Sequence, residues 1–271
     1  MTALPPLREV IARHELAARR SLGQHFLLDL NLTDRIARAA GDLSTGTTIE
    51  VGPGPGGLTR SLLRQGAQRV VCVERDPRAV AAIRELAAVF PDRLAVIEAD
   101  ALTIDIAALG PAPRRIVANL PYNISTALLT RWLHAAPALE SMTLMFQKEV
   151  VDRLIAVPRT KDYGRLSVLT QVVCRAARLF DIAPSAFVPP PKVVSTVVQL
   201  VPREPMADAV DLRALEAVTA AAFGQRRKML RTSLRAAFAQ PEAALGACGI
   251  AETARAEDLT PAQFVALSRL K

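Results

Sequence analysis

Four consecutive residues, Asn119-Leu120-Pro121-Tyr122, combine side chains that could act on a nucleobase. They follow an apolar, strand-like segment, and so would lie at the carboxyl end of a strand, where open α/β sheets bind ligands. The Asn119 side-chain oxygen and the Leu120 carbonyl could accept both N–H bonds of an exocyclic amine and aim its lone pair. Pro121 would stiffen the turn, and Tyr122 would give the base a stacking face. A plain loop turn with a buried tyrosine is the alternative.

A glycine-rich loop follows the first strand-like segment and opens a helix. Gly52, Gly54 and Gly57 satisfy the pattern GxGxxG, and Glu74 ends the next strand-like segment. Such a loop allows close backbone approach to an adenosyl ligand, while the acidic residue can bind ribose hydroxyls. A tight strand-to-helix turn without a ligand is the alternative.

The prolines in this loop help to choose between adenosyl ligands. A pyrophosphate needs backbone N–H donors, and Pro53 and Pro55 have none. S-adenosylmethionine has no phosphate and carries a sulfonium cation, so it needs close approach, a ribose acceptor and an acidic lining. Asp100, which follows the third strand-like segment, adds an acceptor for the adenine amino group. The loop therefore favours S-adenosylmethionine over NAD.

Short apolar segments alternate with amphipathic ones around these motifs, which predicts a doubly wound, mostly parallel α/β sheet. A basic arm with Arg13, Arg19 and Arg20 comes first, then a helix capped by Asn31. We predict strands over residues 49–51, 70–73, 94–97, 116–118, 142–146, 178–182 and 193–201. We predict helices over residues 58–63, 78–89, 126–133, 164–174, 212–223, 226–238, 241–248 and 261–270. The predicted domains are an α/β domain over residues 1–202 and a small all-α domain over residues 203–271.

Composition excludes several classes of protein. The chain has 271 residues, a hydrophobic fraction of 51% and a charged fraction of 22%, which argues against global disorder. No apolar run is long enough to span a membrane, and the N-terminus lacks a secretory signal. Three cysteines lie far apart, so neither a disulfide framework nor a metal site is expected. We expect a cytoplasmic protein without heptads or an obvious dimer face, and therefore a monomer.

The charge is concentrated near the C-terminus. The net charge is +8, and no acidic residue lies between Glu216 and Glu242. Within that stretch, Arg227, Arg231 and Arg235 are spaced to share one face of a helix, beside Arg226 and Lys228. This pattern favours contact with an RNA backbone. A solvated arginine face is the alternative.

Taken in order, these motifs resemble the small-subunit ribosomal RNA adenine N6,N6-dimethyltransferase family. The matching segments are SLGQHFL, EVGPGPGGLT, VERD, EADAL, NLPYNIS, YGRLSV, AFVPPPKV and FGQRRKMLRTSL, and they cover most of the chain. The resemblance implies a Rossmann-like, class I S-adenosylmethionine-dependent methyltransferase domain, and a C-terminal domain that contacts rRNA. The implied substrate is a pair of adjacent adenines in the hairpin near the 3′ end of 16S rRNA, within the small ribosomal subunit.

The resemblance also assigns individual residues. It implies donor contacts at His25, Leu27, Gly52, Gly54, Glu74, Asp100 and Asn119. Family members usually have asparagine at the position of His25. Phe187 is implied to stack on the target adenine opposite Tyr122, and Arg227, Lys228 and Arg231 to contact RNA.

The implied reaction is an in-line displacement in which the adenine amine attacks the sulfonium methyl group. Positioning and desolvation would supply most of the catalysis, without a dedicated base. Three alternatives remain open at this point. The chain could act mainly as an assembly checkpoint that docks on the immature small subunit. It could also be a large-subunit rRNA dimethyltransferase or a DNA amino methyltransferase.

Overall fold

A computed structural model describes residues 4–18, 23–203 and 210–271 of the chain. Arg19, Arg20 and Ser21, which belong to the predicted basic arm and the first motif, lie outside the described residues. The chain divides into two compact units. Unit 1 comprises residues 1–148 and 177–201, and unit 2 comprises residues 149–176 and 202–271. The predicted boundary at residue 202 therefore differs from the structure by one segment, residues 149–176, which includes a helix that packs with the C-terminal helices of unit 2.

The strands of the described residues are close to those predicted. In chain order they are β1 (Phe26–Leu27), β2 (Thr47–Val51), β3 (Val70–Glu74), β4 (Leu94–Glu98), β5 (Arg114–Asn119), β6 (Ser141–Gln147), β7 (Cys174–Ile182), β8 (Phe187–Val188) and β9 (Ser195–Pro202). Every residue of β2 and β3 is buried, which explains why most of their residues are apolar or β-branched.

Seven of these strands form one sheet in the order β4-β3-β2-β5-β6-β9-β7. The five strands from β4 to β6 run parallel, and β9 pairs antiparallel with β6. From β2 the chain adds β3 and β4 on one side, and it then crosses over to add β5 and β6 on the other side of β2. The boundary between β2 and β5 is therefore a topological switch point, next to the carboxyl ends of these strands. A short antiparallel pair, β1 and β8, lies apart from the main sheet. The predicted mostly parallel α/β sheet is confirmed.

The helices, in chain order, are α1 (Leu7–Arg13), α2 (Leu30–Ala39), α3 (Gly57–Arg64), α4 (Pro77–Val89), α5 (Ser125–His134), α6 (Lys148–Ile155), α7 (Arg165–Val173), α8 (Leu212–Gly224), α9 (Leu230–Ser233), α10 (Pro241–Ala247) and α11 (Pro261–Ser268). Asp29, not the predicted Asn31, caps α2, because its carboxylate accepts the Asn31 backbone N–H. None of the helices in the described ranges is long and apolar enough to cross a membrane.

The predicted helix over residues 226–238 is wrong. α8 ends at Gly224, and residues 225–227 form a turn in which the Lys228 N–H donates to the Gln225 carbonyl. Met229 is then extended and makes an isolated antiparallel bridge with Arg255. Only the four-residue α9 and a single 3-10 turn follow. Arg227, Arg231 and Arg235 therefore do not share one helical face.

Candidate active site

One cleft in unit 1 collects most of the residues that the sequence singled out. It is lined by the carboxyl ends of β2, β3 and β5, the loop after β4, and the segment around β1. The predicted residues that line it are His25, Leu27, Gly52, Gly54, Glu74, Asp100, Asn119, Leu120, Pro121 and Tyr122. The sheet brings them together because parallel strands end at the same edge.

The glycine loop forms part of the cleft wall and is held close to its neighbours. The Gly52 N–H donates to the Val73 carbonyl, which ties the loop to β3. Gly54 has φ +53°, and a Cβ at this position would lie 2.9 Å from the Phe26 ring. Any larger residue would therefore both strain the backbone and push the ring away. Glycine at position 54 keeps the loop in contact with the β1 segment.

Glu74 ends β3 as a buried carboxylate with one well-satisfied oxygen. Its Oε1 accepts the N–H groups of Arg75 and Asp76, both at 2.8 Å. Its Oε2 has only a long contact of 3.4 Å from the Gly54 N–H. Burial raises the pKa of Glu74, and the three backbone hydrogen bonds oppose that rise. Glu74 Oε2 is therefore an acceptor with spare capacity in the cleft.

Asp100 follows β4 and lines the cleft, and its two carboxylate oxygens have different partners. Its Oδ1 accepts the Leu102 N–H at 2.9 Å, and its Oδ2 lies 3.4 Å from the Arg75 guanidinium. Arg75 lines the cleft but was missed by sequence reasoning, because an arginine after a strand carries no distinctive signal. The long, exposed Arg75–Asp100 contact contributes little to stability.

Glu50 is a second residue that sequence reasoning left without a role. It lies in β2 at the base of the cleft and is 1% exposed. Burial raises its pKa to about 8, and the nearby Glu74 charge adds to the rise. The Cys72 thiol donates to its Oε2 at 3.7 Å. Its position before the glycine loop was the available signal, since an acid inside a buried strand needs a reason to be there.

The Asn119 side chain is fixed in one orientation at the end of β5. Its Nδ2 donates to the His25 carbonyl at 3.0 Å. Only the NH₂ end of the amide can donate to a carbonyl, so this bond leaves Oδ1 as the remaining acceptor. The turn that follows is closed by the Ile124 N–H bonded to the Pro121 carbonyl. The acceptor arrangement predicted from the sequence is thus held by a backbone contact.

Tyr122 is held by contacts at its ring and at its hydroxyl. The His25 ring stacks on it, with centroids 5.4 Å apart and an interplanar angle of 29°. The Tyr122 hydroxyl lies 2.5 Å from Ser195 Oγ. His25 Nδ1 donates to the Pro189 carbonyl at 2.8 Å. Burial raises the pKa of Tyr122, so the phenol stays protonated over the physiological range.

Phe187 does not line the cleft. It is 2% exposed, pairs with Leu27 between β8 and β1, and packs in the hydrophobic core. The next residue, Val188, is exposed instead, as the alternation of a strand requires. Its side chain is thus almost fully covered by its neighbours. The stacking role of Phe187 therefore stays a prediction, and this structure places its side chain in the core.

The basic residues near the C-terminus belong to unit 2 and are not part of the cleft. We call residues 225–236 the basic segment. Arg227, Lys228, Arg231 and Arg235 are all exposed. Arg226 differs, because its guanidinium bonds to Glu257 and to the carbonyls of Thr160 and Lys161. Four of the five predicted cations are thus available on the surface of this unit.

The cleft fits S-adenosylmethionine by its own contacts. Glu74 and Asp100 line the cleft with carboxylate oxygens that could accept from ribose hydroxyls and an adenine amino group, and an acidic lining suits a sulfonium cation. The loop turns at Pro53 and Pro55, which present no N–H to a phosphate. A dinucleotide would find fewer donors here than its pyrophosphate requires.

Comparisons with known proteins agree with this fit. The family model for ribosomal RNA adenine dimethylase matches residues 15–271. The chain is 62% identical over 267 residues to ribosomal RNA small subunit methyltransferase A of Rhodospirillum rubrum, covering 98% of this chain and 92% of that protein.

Two solved structures are also similar. The 23S rRNA methyltransferase ErmE has a TM-score of 0.66 and 30% identity, over 90% of this chain and 98% of that one. A dimethyladenosine transferase from Plasmodium falciparum has a TM-score of 0.76 over 90% of this chain and 96% of that one, and at 24% identity it supports the fold alone. The chain belongs to the ribosomal RNA adenine dimethylase family and is a methyltransferase that uses S-adenosylmethionine as its methyl donor.

Proposed function

We propose that this chain dimethylates the N6 amino groups of two adjacent adenines in the 3′-terminal hairpin loop of 16S rRNA. The observation that carries the proposal is the Asn119 amide, whose Nδ2–His25 bond leaves Oδ1 to accept from an amine. The choice of the small subunit is supported by the greater identity to the small-subunit methyltransferase than to the 23S rRNA enzyme. We propose that the protein acts as a monomer in the cytoplasm, during assembly of the small subunit.

Residues along the carboxyl edge of the sheet would hold the donor. Glu74 Oε2 would accept from the ribose hydroxyls and Asp100 from the adenine amino group, because each keeps acceptor capacity after its backbone bonds. Gly52 and Gly54 would let the donor approach the backbone, and Leu27 and His25 would contribute to the same cleft. When bound, S-adenosylmethionine supplies a methyl group made electrophilic by its sulfonium charge.

Asn119 and Leu120 would hold the acceptor amine. Asn119 Oδ1 and the Leu120 carbonyl would each accept one N–H, so the nitrogen lone pair points out of the base plane. Tyr122 would stack on the base and fix its plane. After the first transfer one N–H remains, and one of the two acceptors is enough to hold it for the second. Catalysis then comes mainly from positioning, and the departing proton passes to water.

The basic segment would bind the rRNA backbone. Arg227, Lys228 and Arg231 are exposed, and Arg and Lys contacts to phosphates supply most of the sequence-independent affinity for nucleic acid. These contacts do not need a shared helical face, because a phosphate backbone can be met by cations on a turn. The target adenine would be unstacked from its loop to enter the cleft.

The proposal is tested by tritiated methyl transfer to small subunits that lack the modification, followed by nucleoside analysis. We expect N6,N6-dimethyladenosine at two adjacent positions of 16S rRNA. Large subunits, free 16S rRNA and single-stranded DNA serve as alternative substrates in parallel reactions. Monomethyladenosine as the sole end product, or preferred labelling of large subunits or DNA, would contradict the proposal.

A further inference from the structure

Ser195 is the first residue of β9 and lies beside the acceptor end of the cleft. It pairs with Gln147 at the carboxyl end of β6 and is fully buried. Its Oγ is 2.5 Å from the Tyr122 hydroxyl, the shortest contact that either residue makes among those described. A buried residue of the central sheet therefore anchors the outer end of the Tyr122 ring.

The ring of Tyr122 has only one face left for a base. His25 covers the other face at 5.4 Å, and His25 is itself fixed by the Pro189 carbonyl and by Asn119 Nδ2. Phe187, the expected second platform, is buried in the core. Stacking on Tyr122 therefore depends on the plane of its ring, and on the contacts that hold that plane.

The hydroxyl contact is what limits rotation of that ring. A tyrosine bound only by stacking can swing about its Cα–Cβ and Cβ–Cγ bonds, because an offset stack tolerates small displacements. A hydroxyl hydrogen-bonded to a buried side chain of the sheet cannot swing without breaking that bond. The same bond occupies the phenol, so Tyr122 acts by its ring face and not as an acid or base.

We infer that Ser195 is a positioning residue for adenine methylation, acting through the Tyr122 hydroxyl. The inference rests on the proposed function, because it assigns to Ser195 the control of the ring on which the target adenine stacks. A small tilt of that ring moves the amine out of line with the donor, and misplacement of reacting atoms by about 1 Å can cost on the order of 100-fold in rate. Ser195 touches neither the donor sites nor Asn119 in the described contacts.

A double-mutant cycle between Ser195→Ala and Tyr122→Phe tests this inference. Each change removes the same hydrogen bond, so we expect each to lower the single-turnover rate on small subunits about tenfold. The double variant should be no slower than the slower single variant, because the bond can be lost only once. Ser195→Thr keeps a hydroxyl and should retain most of the rate. Affinity for S-adenosylmethionine, measured by calorimetry, should be unchanged in all four variants.

Two controls separate this role from a general packing effect. Ser141→Ala removes a buried serine from the opposite end of β6 and should leave the rate unchanged. If Ser195→Ala lowers the melting temperature, Ser195→Cys takes its place, since a thiol keeps the volume but is a weak hydrogen-bonding group.

The outcomes distinguish the inference from the proposed function. Multiplicative losses in the double variant, or a full rate in Ser195→Ala, would overturn the role of Ser195 while leaving adenine methylation intact. A parallel loss of donor affinity would also overturn it, because the effect would then not pass through the acceptor side. A wild-type protein that transfers no methyl group to adenine would instead end the proposed function.

Discussion

The cleft of unit 1 and the basic segment of unit 2 place their functional residues in opposite ways. In the cleft, Glu74, Asn119 and Tyr122 are each fixed by hydrogen bonds to backbone or to buried side chains. In the basic segment, Arg227 and Lys228 are exposed on a turn between two helices. The cleft holds individual atoms in fixed positions, whereas the basic segment provides positive charge without fixed positions.

This difference follows from what each region must do. Methyl transfer depends on alignment of the reacting atoms within a fraction of an ångström, so its residues need a rigid support. Attraction to phosphates falls slowly with distance and tolerates many arrangements, so exposed cations suffice. If this is correct, substitutions in the cleft should have large and specific effects, and substitutions in the basic segment small and additive ones.

The largest effect is expected for Asn119→Ala. Removing one preorganised acceptor from the reacting centre should lower kcat about 100- to 1000-fold, by analogy with loss of an oxyanion-hole donor. Binding to small subunits should stay close to that of the wild type. The measurement is single-turnover methyl transfer, with Asn123→Ala on the same turn as the matched control. Equal rates for Asn119→Ala and the wild type would contradict the proposal that Asn119 holds the acceptor amine.

Glu50→Gln should show that the buried Glu50 carboxyl group of the cleft lowers the free energy of unfolding. The pKa of Glu50 rises from its ordinary 4.5 to about 8 in the folded protein. Between these values the folded state holds a proton that the unfolded state has lost, so the free energy of unfolding should fall as pH rises. Glutamine cannot ionise, so it removes that pH dependence. At about pH 8 it should raise the free energy of unfolding by at most a few kcal/mol, the amount that corresponds to the shift in the pKa of Glu50.

Urea unfolding of both proteins between about pH 5 and pH 8.5 makes this measurement, with both buffers at one ionic strength. At the acid end the two proteins should differ least in stability, because folded Glu50 keeps its proton and the unfolded carboxylate begins to take one up. The prediction would be contradicted if the free energy of unfolding of the wild type rose with pH over this range and Glu50→Gln showed the same pH dependence. Glu50 would then be ionised in the folded protein.

Glu74→Gln should weaken donor binding about tenfold, because a neutral amide replaces a charged acceptor. Since burial raises the pKa of Glu74, donor affinity of the wild type should fall on acidification as this carboxylate takes up a proton. The variant should lack that pH dependence. Calorimetric titration with the donor measures both effects. Glu98→Gln is the control, because Glu98 pairs with Glu74 in the neighbouring strand but is more exposed.

The sequence predicted the cleft well because local chemistry determines it. The strands are mostly apolar, and Glu74, Asp100 and Asn119 stand at or just after strand ends, so the parallel sheet had to collect them. The exceptions in the cleft depend on contacts between distant segments. Ser195 meets Tyr122 only because β9 pairs with β6, and the burial of Phe187 depends on pairing of β8 with β1. Neither pairing leaves a local signal.

The basic segment shows the limit of a periodic pattern. The spacing of Arg227, Arg231 and Arg235 satisfies a helix, yet Gly224 ends α8 and Met229 pairs with Arg255 instead. Phe223 packs against Tyr163 and Phe264, which fixes the end of α8 from outside the segment. Tertiary contacts in unit 2 therefore determine the backbone of this segment. Its exposed charged residues pack against nothing that would require a helix.

The neighbouring pair Arg226 and Arg227 gives the finest test of the comparison. Arg226 is the one cation of the segment with a fixed geometry, bonded to Glu257 at 3.0 Å and to two carbonyls, whereas Arg227 is exposed. Arg226→Ala should lower the free energy of unfolding by about 1 kcal/mol, because its partners are half-exposed, with little effect on RNA affinity. Arg227→Ala should leave stability unchanged, weaken small-subunit binding only a few-fold and reduce the salt slope by about one.

Thermal or urea unfolding and binding titrations at several salt concentrations measure the two effects separately. The pair is matched in residue type and differs by one position, so composition and net charge cannot explain a difference between the variants. Equal losses of RNA affinity in Arg226→Ala and Arg227→Ala would mean that fixed cations also read the RNA. The segment would then need a defined geometry, as the cleft does, and charge alone would not account for its binding.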